Sequence, residues 1–438
     1  MENFDDLTDL SESIWKDPSF PNFYTNEKAL EHLEESFAEE AKKLRGGDFS
    51  FLKVEELYSN YKIEGIELNR DSLHSSLTSN LAGTKPGDKE RGAVELLNLV
   101  TENKNKPLTH DLLQEMNKSL LVNDPDHSNV AGQYVGDMMI VKGNVRFGEQ
   151  VIVERGVPKE RVNIEMHKFV DWYNGRDPSK PLQNALQGHL HFEKIHPFAD
   201  GNGRIGRAVM NMSLMSDLKL DDPLAVSKGI QAFAGDYYKS FETNQLDLTD
   251  YVRNSGKILQ KSLTETRKIV ELTEMRRQLY NGGFNDRQVR GLNKVIAKEI
   301  SSNFEGSLNR NKYIKLLGGN IDAKTAQRDL ADLAQKGLLV KVGTLKATKY
   351  EIPIIRELHY QESKELFVRA VDNLKAEAMK NGFKTVHERA EQASTEFADS
   401  LEGVGKAKKA NLVNRTQAYT RNEISMSELK KFIPRHDS

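Results

Sequence analysis

Twelve residues concentrate the chemistry of this 438-residue chain: His196-Pro197-Phe198-Ala199-Asp200-Gly201-Asn202-Gly203-Arg204-Ile205-Gly206-Arg207. They hold an imidazole, a carboxylate, two glycines around an asparagine, and two arginines. Leu186, Leu190 and Ile195 form a helical apolar stripe before them, and Ile205, Val209 and Met212 form another after them. The run is therefore expected to be a loop between two helices, with its glycines where the second helix begins. Free N–H groups and the positive end of a helix dipole make such a place an anion site. Gly201 and Gly203 let an anion come close to the backbone. Arg204 and Arg207, three residues apart, share a helical face beside that anion. Asp200 would repel a phosphate directly, so it is expected to hold Mg²⁺ bridging to phosphate oxygens. His196 is left as a general base. The predicted chemistry is phosphoryl-type transfer.

The run matches the signature H-P-F-x-D-G-N-G-R-x-x-R of the Fic family without a mismatch, and Phe192-Glu193-Lys194-Ile195 resembles that family's lead-in. Members typically transfer AMP from Mg-ATP to protein hydroxyls. The resemblance implies His196 as base, Asp200 as the Mg²⁺ ligand, and Gly201, Asn202 and Gly203 on the phosphates. It also implies Arg204 on the β-phosphate, Arg207 on the γ-phosphate and Phe198 as a buried anchor. Tyr237 and Tyr238 fall in a helix that borders the adenosine pocket in Fic proteins, with plain aromatic packing as the alternative.

A second stretch bears on the first. Leu52, Leu57, Tyr58 and Tyr61 give a helical stripe that Gly65 is expected to end. Glu64 then lies at the negative end of a helix dipole, unfavourable by about 0.3–1 kcal/mol unless a cation is near. Asn60-Tyr61-Lys62-Ile63-Glu64-Gly65 resembles the Fic inhibitory motif [S/T]-x-x-x-E-[G/N], with Asn60 in the Ser/Thr place. That resemblance implies a resting pair between Glu64 and Arg207 that blocks productive γ-phosphate binding. Met138-Met139-Ile140-Val141, a turn at Lys142-Gly143-Asn144 and Val145-Arg146-Phe147 read as a β-hairpin. In Fic proteins a flap here holds the target by strand pairing, so Met138, Met139, Ile140 and Val141 are the docking candidates. His189 and His191, two apart on a helix, point to different faces and are read as structural.

Composition narrows the class. A net charge of −2, 37% hydrophobic and 29% charged residues describe a charge-rich globular chain with no global pull toward nucleic acid or anionic membrane. Zero cysteines exclude disulfides and thiolate zinc sites. The acidic start, Met1 to Asp6, has no apolar core of a signal peptide, and no run approaches a membrane span. A cytoplasmic protein is expected, although a delivered effector would look the same. The aromatic and proline residues of 12–24, Ile14 and Trp15 to Tyr24, are read as a segment pinned across a helical core and resemble the start of an N-terminal domain of many bacterial Fic proteins.

The expected fold is mainly α. Residues 1–88 are an N-terminal helical domain carrying the inhibitory motif, 89–280 a Fic-type core with its hairpin flap, 281–353 a winged helix-turn-helix, and 354–438 a helical tail of no recognised family. Asp322 to Leu339 resembles the helix-turn-helix part. There Lys324, Arg328 and Lys336 stand against Asp322, Asp329 and Asp332, and the wing adds Lys341, Lys346 and Lys349. DNA contact and a packing or dimerisation role both remain open on those charges. The leading reading is AMP transfer from Mg-ATP to a Ser, Thr or Tyr hydroxyl of a protein, with self-modification and a homodimer left open. The competing classes are a DNA-binding regulator whose core senses nucleotide, and Glu64-assisted removal of AMP.

Overall fold

The computed structural model describes residues 13–434 except 45, 78–86, 122–125, 145–148, 302–303, 305–306, 344–347, 382–385 and 402–405, and only the backbone of 139–154, 381 and 406–407. The chain forms two compact units, Met1–Glu274 and Met275–Ser438. The first contains α1 (Glu27–Lys42), α2 (Ser50–Ile63), α3 (Arg70–Leu77), α4 (Asp88–Asn103), α5 (His110–Leu121), the hairpin β1 (Met139–Asn144) and β2 (Glu149–Arg155), α6 (Lys159–Gly175), α7 (Pro181–Ile195), α8 (Asn202–Leu218), α9 (Val226–Ala232), α10 (Ala234–Ser240) and most of α11 (Thr249–Asn281). The fold is mainly helical, as the periodicities predict.

One continuous apolar core joins these helices. α7 and α8 pack along one another at its centre. Their sequences explain this: Leu182, Ala185, Leu186, Leu190, Phe192 and Ile195 face Ile205, Val209, Met212 and Met215, all buried. α2 departs from a simple amphipathic helix. Every residue from Val54 to Tyr61 is buried, including the polar Glu55, Glu56, Ser59 and Asn60. Those polar groups are satisfied by the core around them. Glu56 accepts from the Asn211 amide, the Ser227 hydroxyl and the Ser227 backbone N–H, so it caps the start of α9 from another helix.

The N-terminal aromatic segment is pinned as expected. Ile14 and Phe20 are buried, Trp15 donates its indole N–H to the Arg155 carbonyl, and Phe20 and Phe23 meet His191 edge-on. The hairpin shifts from its predicted register. Lys142-Gly143-Asn144, expected as the turn, belongs to β1 and pairs with Val151, Gln150 and Glu149. The return strand is therefore β2, and Val145 to Phe147, expected to form it, lie outside the described residues. Gly and Asn tolerate turns, but here pairing outweighs local propensity.

The second unit begins inside α11 and contains α12 (Asp286–Ile300), α13 (Arg310–Leu316), α14 (Ala323–Gln335), the hairpin β3 (Val340–Val342) and β4 (Lys349–Glu351), α15 (Pro353–Asn381), α16 (His387–Ser400), α17 (Lys406–Thr420) and α18 (Met426–Lys430). Gly291 lets Tyr313 lie against α12, where a Cβ would meet the ring at 2.4 Å. The last helices build a separate apolar cluster around Phe367, Val371, Phe397 and Leu412. Among the described residues, no helix is long and apolar enough to cross a membrane.

Candidate active site

α7 ends because His196 turns left-handed, with φ 52°, a conformation few non-glycine residues adopt. Its N–H still closes the helix by donating to the Phe192 carbonyl. The chain then crosses Pro197 to Asp200 and re-enters helix at Asn202, with Gly201 left-handed at the N-cap position. No side chain caps α8 there. Its first N–H groups therefore have no N-cap side chain to accept from them.

Three contacts fix the loop. Asn202 accepts from the Phe198 N–H at 2.9 Å and donates to the Phe198 carbonyl at 2.7 Å. Both ends of its amide are engaged, so the side chain shapes the loop, and a second N–H of the amide is left over. Asn202 thus has a structural task in the loop beside the phosphate role that the resemblance implies. Phe198 is fully buried against Phe192 and Tyr134. Asn117 on α5, which no sequence motif marks, donates to the Asp200 carbonyl and accepts from the Gly132 N–H. An asparagine inside an amphipathic helix gives no local sign of a partner 83 residues away.

The hairpin is rooted on this loop through backbone bonds. Val135 N–H donates to the Pro197 carbonyl, Val157 N–H to the Ile195 carbonyl, and Gly156 N–H to the Met138 carbonyl. Gly156 lies against His196, where a Cβ would be 2.9 Å from the histidine Cβ. Of the expected docking residues, Met138 is half-buried at the root. Met139, Ile140 and Val141 lie in β1, whose side chains are outside the described residues. Among the described residues β1 pairs with β2 alone, so its other edge carries no strand.

The two arginines are buried. Arg204 donates to the Asp200 carboxylate at 2.7 Å and lies over the Tyr61 ring. Arg207, only 1% exposed, is held from α2: its Nε donates to the Asn60 side-chain oxygen at 2.7 Å, and one terminal nitrogen donates to the Asn60 carbonyl at 3.0 Å and to Glu64 at 2.6 Å. Tyr237 completes the cradle at 3.3 Å. Asn60, in place of Ser or Thr, therefore grips the guanidinium itself. Gly203 is what admits the Glu64 carboxylate, since a Cβ there would meet its oxygen at 2.6 Å. The carboxylate thus lies against Gly203 in the first turn of α8, paired with Arg207.

Tyr237 and Tyr238 do not line an open face together. Tyr237 is buried between His189 and Arg207, and burial raises its hydroxyl pKa far above the usual value, against the pull of Arg207. Tyr238 is half-buried and donates weakly to the Ile63 carbonyl. His189 and His191 are core residues. Burial lowers His189 to about 4 and His191 to about 3. Among the described residues, no group of three or more His, Asp or Glu side chains is placed to cage a metal. Asp200 is 40% exposed and gives one oxygen to Arg204. Its other oxygen is open, a donor set that fits Mg²⁺ completed by phosphate oxygens and water.

Residues 107–214, the span of α5 to α8, match the model of the Fic/DOC family, and the chain carries a Fic domain there. It is similar to proteins named protein adenylyltransferase Fic. That of Nematostella vectensis is 41% identical over 70 residues, 15% of this chain and 16% of the relative. That of Aedes aegypti is 27% identical over 172 residues, 37% of this chain and 32% of the relative. The chain thus spans about a third or less of the length of these relatives. A crystal structure of a Fic family protein from Desulfovibrio desulfuricans aligns with a TM-score of 0.44 at 20% identity, covering 75% of this chain and 97% of that one.

Proposed function

We propose that the first unit transfers AMP from ATP to a Ser, Thr or Tyr hydroxyl of a protein, and that the resting enzyme is held back by Glu64. The observation that carries this reading is the placement of His196 beside an uncapped helix start whose arginine is already occupied by a carboxylate. The target hydroxyl, held along the free edge of β1, gives its proton to His196. Its oxygen then forms a bond to the α-phosphorus as the bond to the β-phosphate bridging oxygen breaks, and pyrophosphate leaves. Arg204 and the first N–H groups of α8 bind the phosphates. Asp200 is the residue that would hold Mg²⁺, an ion that neutralises phosphate charge when bound. Arg207 is reserved for the γ-phosphate, which must displace Glu64 to reach it. The names of the adenylyltransferase relatives support the same activity.

Labelled ATP incubated with the full chain and a cell lysate tests the proposal. Transfer of label should fall by about a hundredfold or more in His196→Ala, the usual scale of a lost general base, while ATP binding stays near wild type. Undiminished labelling would refute the base.

A second reading, of the second unit as a DNA-binding module, is favoured by one observation on α14. Residues 281–353 hold thirteen Lys and Arg against seven Asp and Glu in a chain of net charge −2. The acids of α14 are spent within the unit. Asp322 caps α14 at Lys324 and Thr325, Asp329 grips Arg287 at 2.5 and 2.8 Å, and Asp332 bonds Gln288 and Lys336. The exposed face left over, Lys324, Gln327, Arg328, Ala331 and Gln335, carries no acid. Such a face, followed by a hairpin bearing Lys341, suits duplex phosphate and base edges. A mobility shift across a salt series tests it, and no shift at low salt would sink it.

A further inference from the structure

One buried carboxylate beside the base has no place in the mechanism so far. Glu193 lies on α7, one turn before His196, and is 5% exposed. The left-handed turn at His196 folds the imidazole back over the end of α7. Its Nδ1 then lies 3.5 Å from Glu193 Oε2. Nδ1 is buried and has no hydrogen-bond partner among the described residues, and the same is true of Glu193 Oε1. Nε2 is not enclosed in this way, so it is the nitrogen that reaches the opening. The gap to Oε2 is at the outer edge of a hydrogen bond, and catalytic bonds commonly tighten from such spacing when substrate binds.

The surroundings keep this carboxylate in position. Gly206, inside the signature, lies directly against it: a Cβ there would come within 2.8 Å of Glu193 Oε1 and of His189 Nδ1. A side chain at Gly206 would therefore push Glu193 off the histidine. Burial raises the Glu193 pKa, while His196, His189 and Arg207 lower it, and the sum lies below the usual carboxylate value. The other titratable groups near it are Tyr237 on α10, bonded to both His189 and Arg207, with Tyr238 beside it, and Tyr251 on α11. None of these tyrosines ionises near neutrality, so Glu193 faces the base as the local anion.

We infer that Glu193 is a positioning residue for His196: its carboxylate holds the Nδ1–H, so that the neutral ring presents its Nε2 lone pair to the target hydroxyl. This rests on reading His196 as the base. The same contact stabilises the imidazolium once the proton has moved, as an oriented partner does for a catalytic histidine. Atoms balance simply: the proton passes from the hydroxyl to Nε2, and none leaves Nδ1.

The test uses the full chain with Glu64→Gly, so that the resting lock does not mask turnover, and compares Glu193→Gln and Glu193→Asp. The ring of His196 is titrated by NMR with labelled histidine, assigned by its loss in His196→Ala. The Gln variant should titrate at lower pH than its parent, because the anion facing the ring is gone. The acid limb of its kcat profile should move the same way. Its kcat should fall ten- to a hundredfold with KM for ATP unchanged, and Asp should restore part of both effects. Loss of kcat with an unmoved His196 titration, or rescue absent in Asp, would reduce Glu193 to a packing role and overturn the inference. Full activity in His196→Ala would instead remove the base itself, whatever the titration shows.

Discussion

Helices α8 and α14 begin alike and end up serving opposite ends. Each opens with the positive end of a helix dipole and carries two cations in its first two turns, Arg204 and Arg207 on α8 and Lys324 and Arg328 on α14. On α14 the side chain of Asp322 accepts from two of the first N–H groups. The helix start is thereby closed, and its cations face solvent. On α8 no side chain caps the start, and both arginines are buried among partners. A capped start with exposed cations is suited to a surface that meets a polyanion from outside. An open start with buried arginines is suited to drawing one triphosphate into the molecule. Cap chemistry, more than the presence of arginine, separates the two.

The largest expected effect comes at the open start. Glu64→Gly removes the carboxylate that lies against Gly203 and holds Arg207, and should raise AMP transfer by roughly ten- to a hundredfold, at about 1.4 kcal/mol per decade. A partly exposed charge-assisted pair of this kind is worth about 1–3 kcal/mol, in keeping with that range. Asn60 sharpens the point. It holds the Arg207 Nε and terminal nitrogen independently of Glu64. Asn60→Ala should therefore activate less than Glu64→Gly, and the double variant should exceed either. The readout is self-labelling and lysate labelling with ATP. A Glu64→Gly protein no faster than wild type would mean the start of α8 is not blocked, and the contrast with Asp322 would lose its meaning.

The next effect concerns how α2 is held against the core that it packs on. Burial raises the Glu56 carboxyl to about 7 from its ordinary 4.5, although Ser227, Arg207 and Lys228 pull the other way. The folded state therefore binds this proton more tightly than the unfolded chain. Its stabilising contribution is full below about 4.5 and is lost as the pH rises through about 7, on the order of 3 kcal/mol at 1.4 per unit. Thermal unfolding measured from pH 5 to 8 should show that decline in wild type. Glu56→Gln should flatten it, with a lower plateau because its amide nitrogen meets the donors of Ser227 and Asn211. An equal slope in both proteins would show that Glu56 is ionised in the folded state throughout.

Much of α8 is legible in sequence because its information is local. Nine fixed positions in twelve residues, between two apolar stripes, are enough to set a loop, a helix start and two arginines on one face. The Glu64–Arg207 pair is legible only through resemblance to a motif. By contrast, the task of Asn202 is not, since spacing cannot tell an amide aimed at a ligand from one turned back on its own loop. Asn117 and Glu56 are invisible because their partners, Asp200 and Ser227, are 83 and 171 residues distant. The hairpin turn is misplaced by local rules because Gly143 and Asn144 favour turns on their own, and only pairing with β2 shows otherwise. On α14 the opposing charges balance in sequence and so decide nothing there. The structure separates them by burying Asp329 against Arg287 and tying the half-exposed Asp332 to Gln288 and Lys336.

The smallest effect tests the other half of the comparison. Lys324 gives only its backbone N–H to the Asp322 cap, so Lys324→Ala should leave the helix and its domain folded. Arg328 is exposed on the same face one turn on. If this face meets duplex phosphates, each cation removed releases one fewer counterion. The slope of log affinity against log salt should then fall by about one unit for Lys324→Ala and again for Arg328→Ala. Affinity should drop by a similar factor on unrelated sequences, because phosphate contacts position a helix without reading bases. Asp322→Ala gives the control from the fold: it should cost about 1 kcal/mol of cap energy and lower the melting temperature, with the salt slope unchanged. Fluorescence anisotropy with a labelled duplex at several salt concentrations reads all three. Should the two cation variants keep the wild-type slope, α14 is a packing helix, and its acid-free face follows from where its aspartates find partners within the unit.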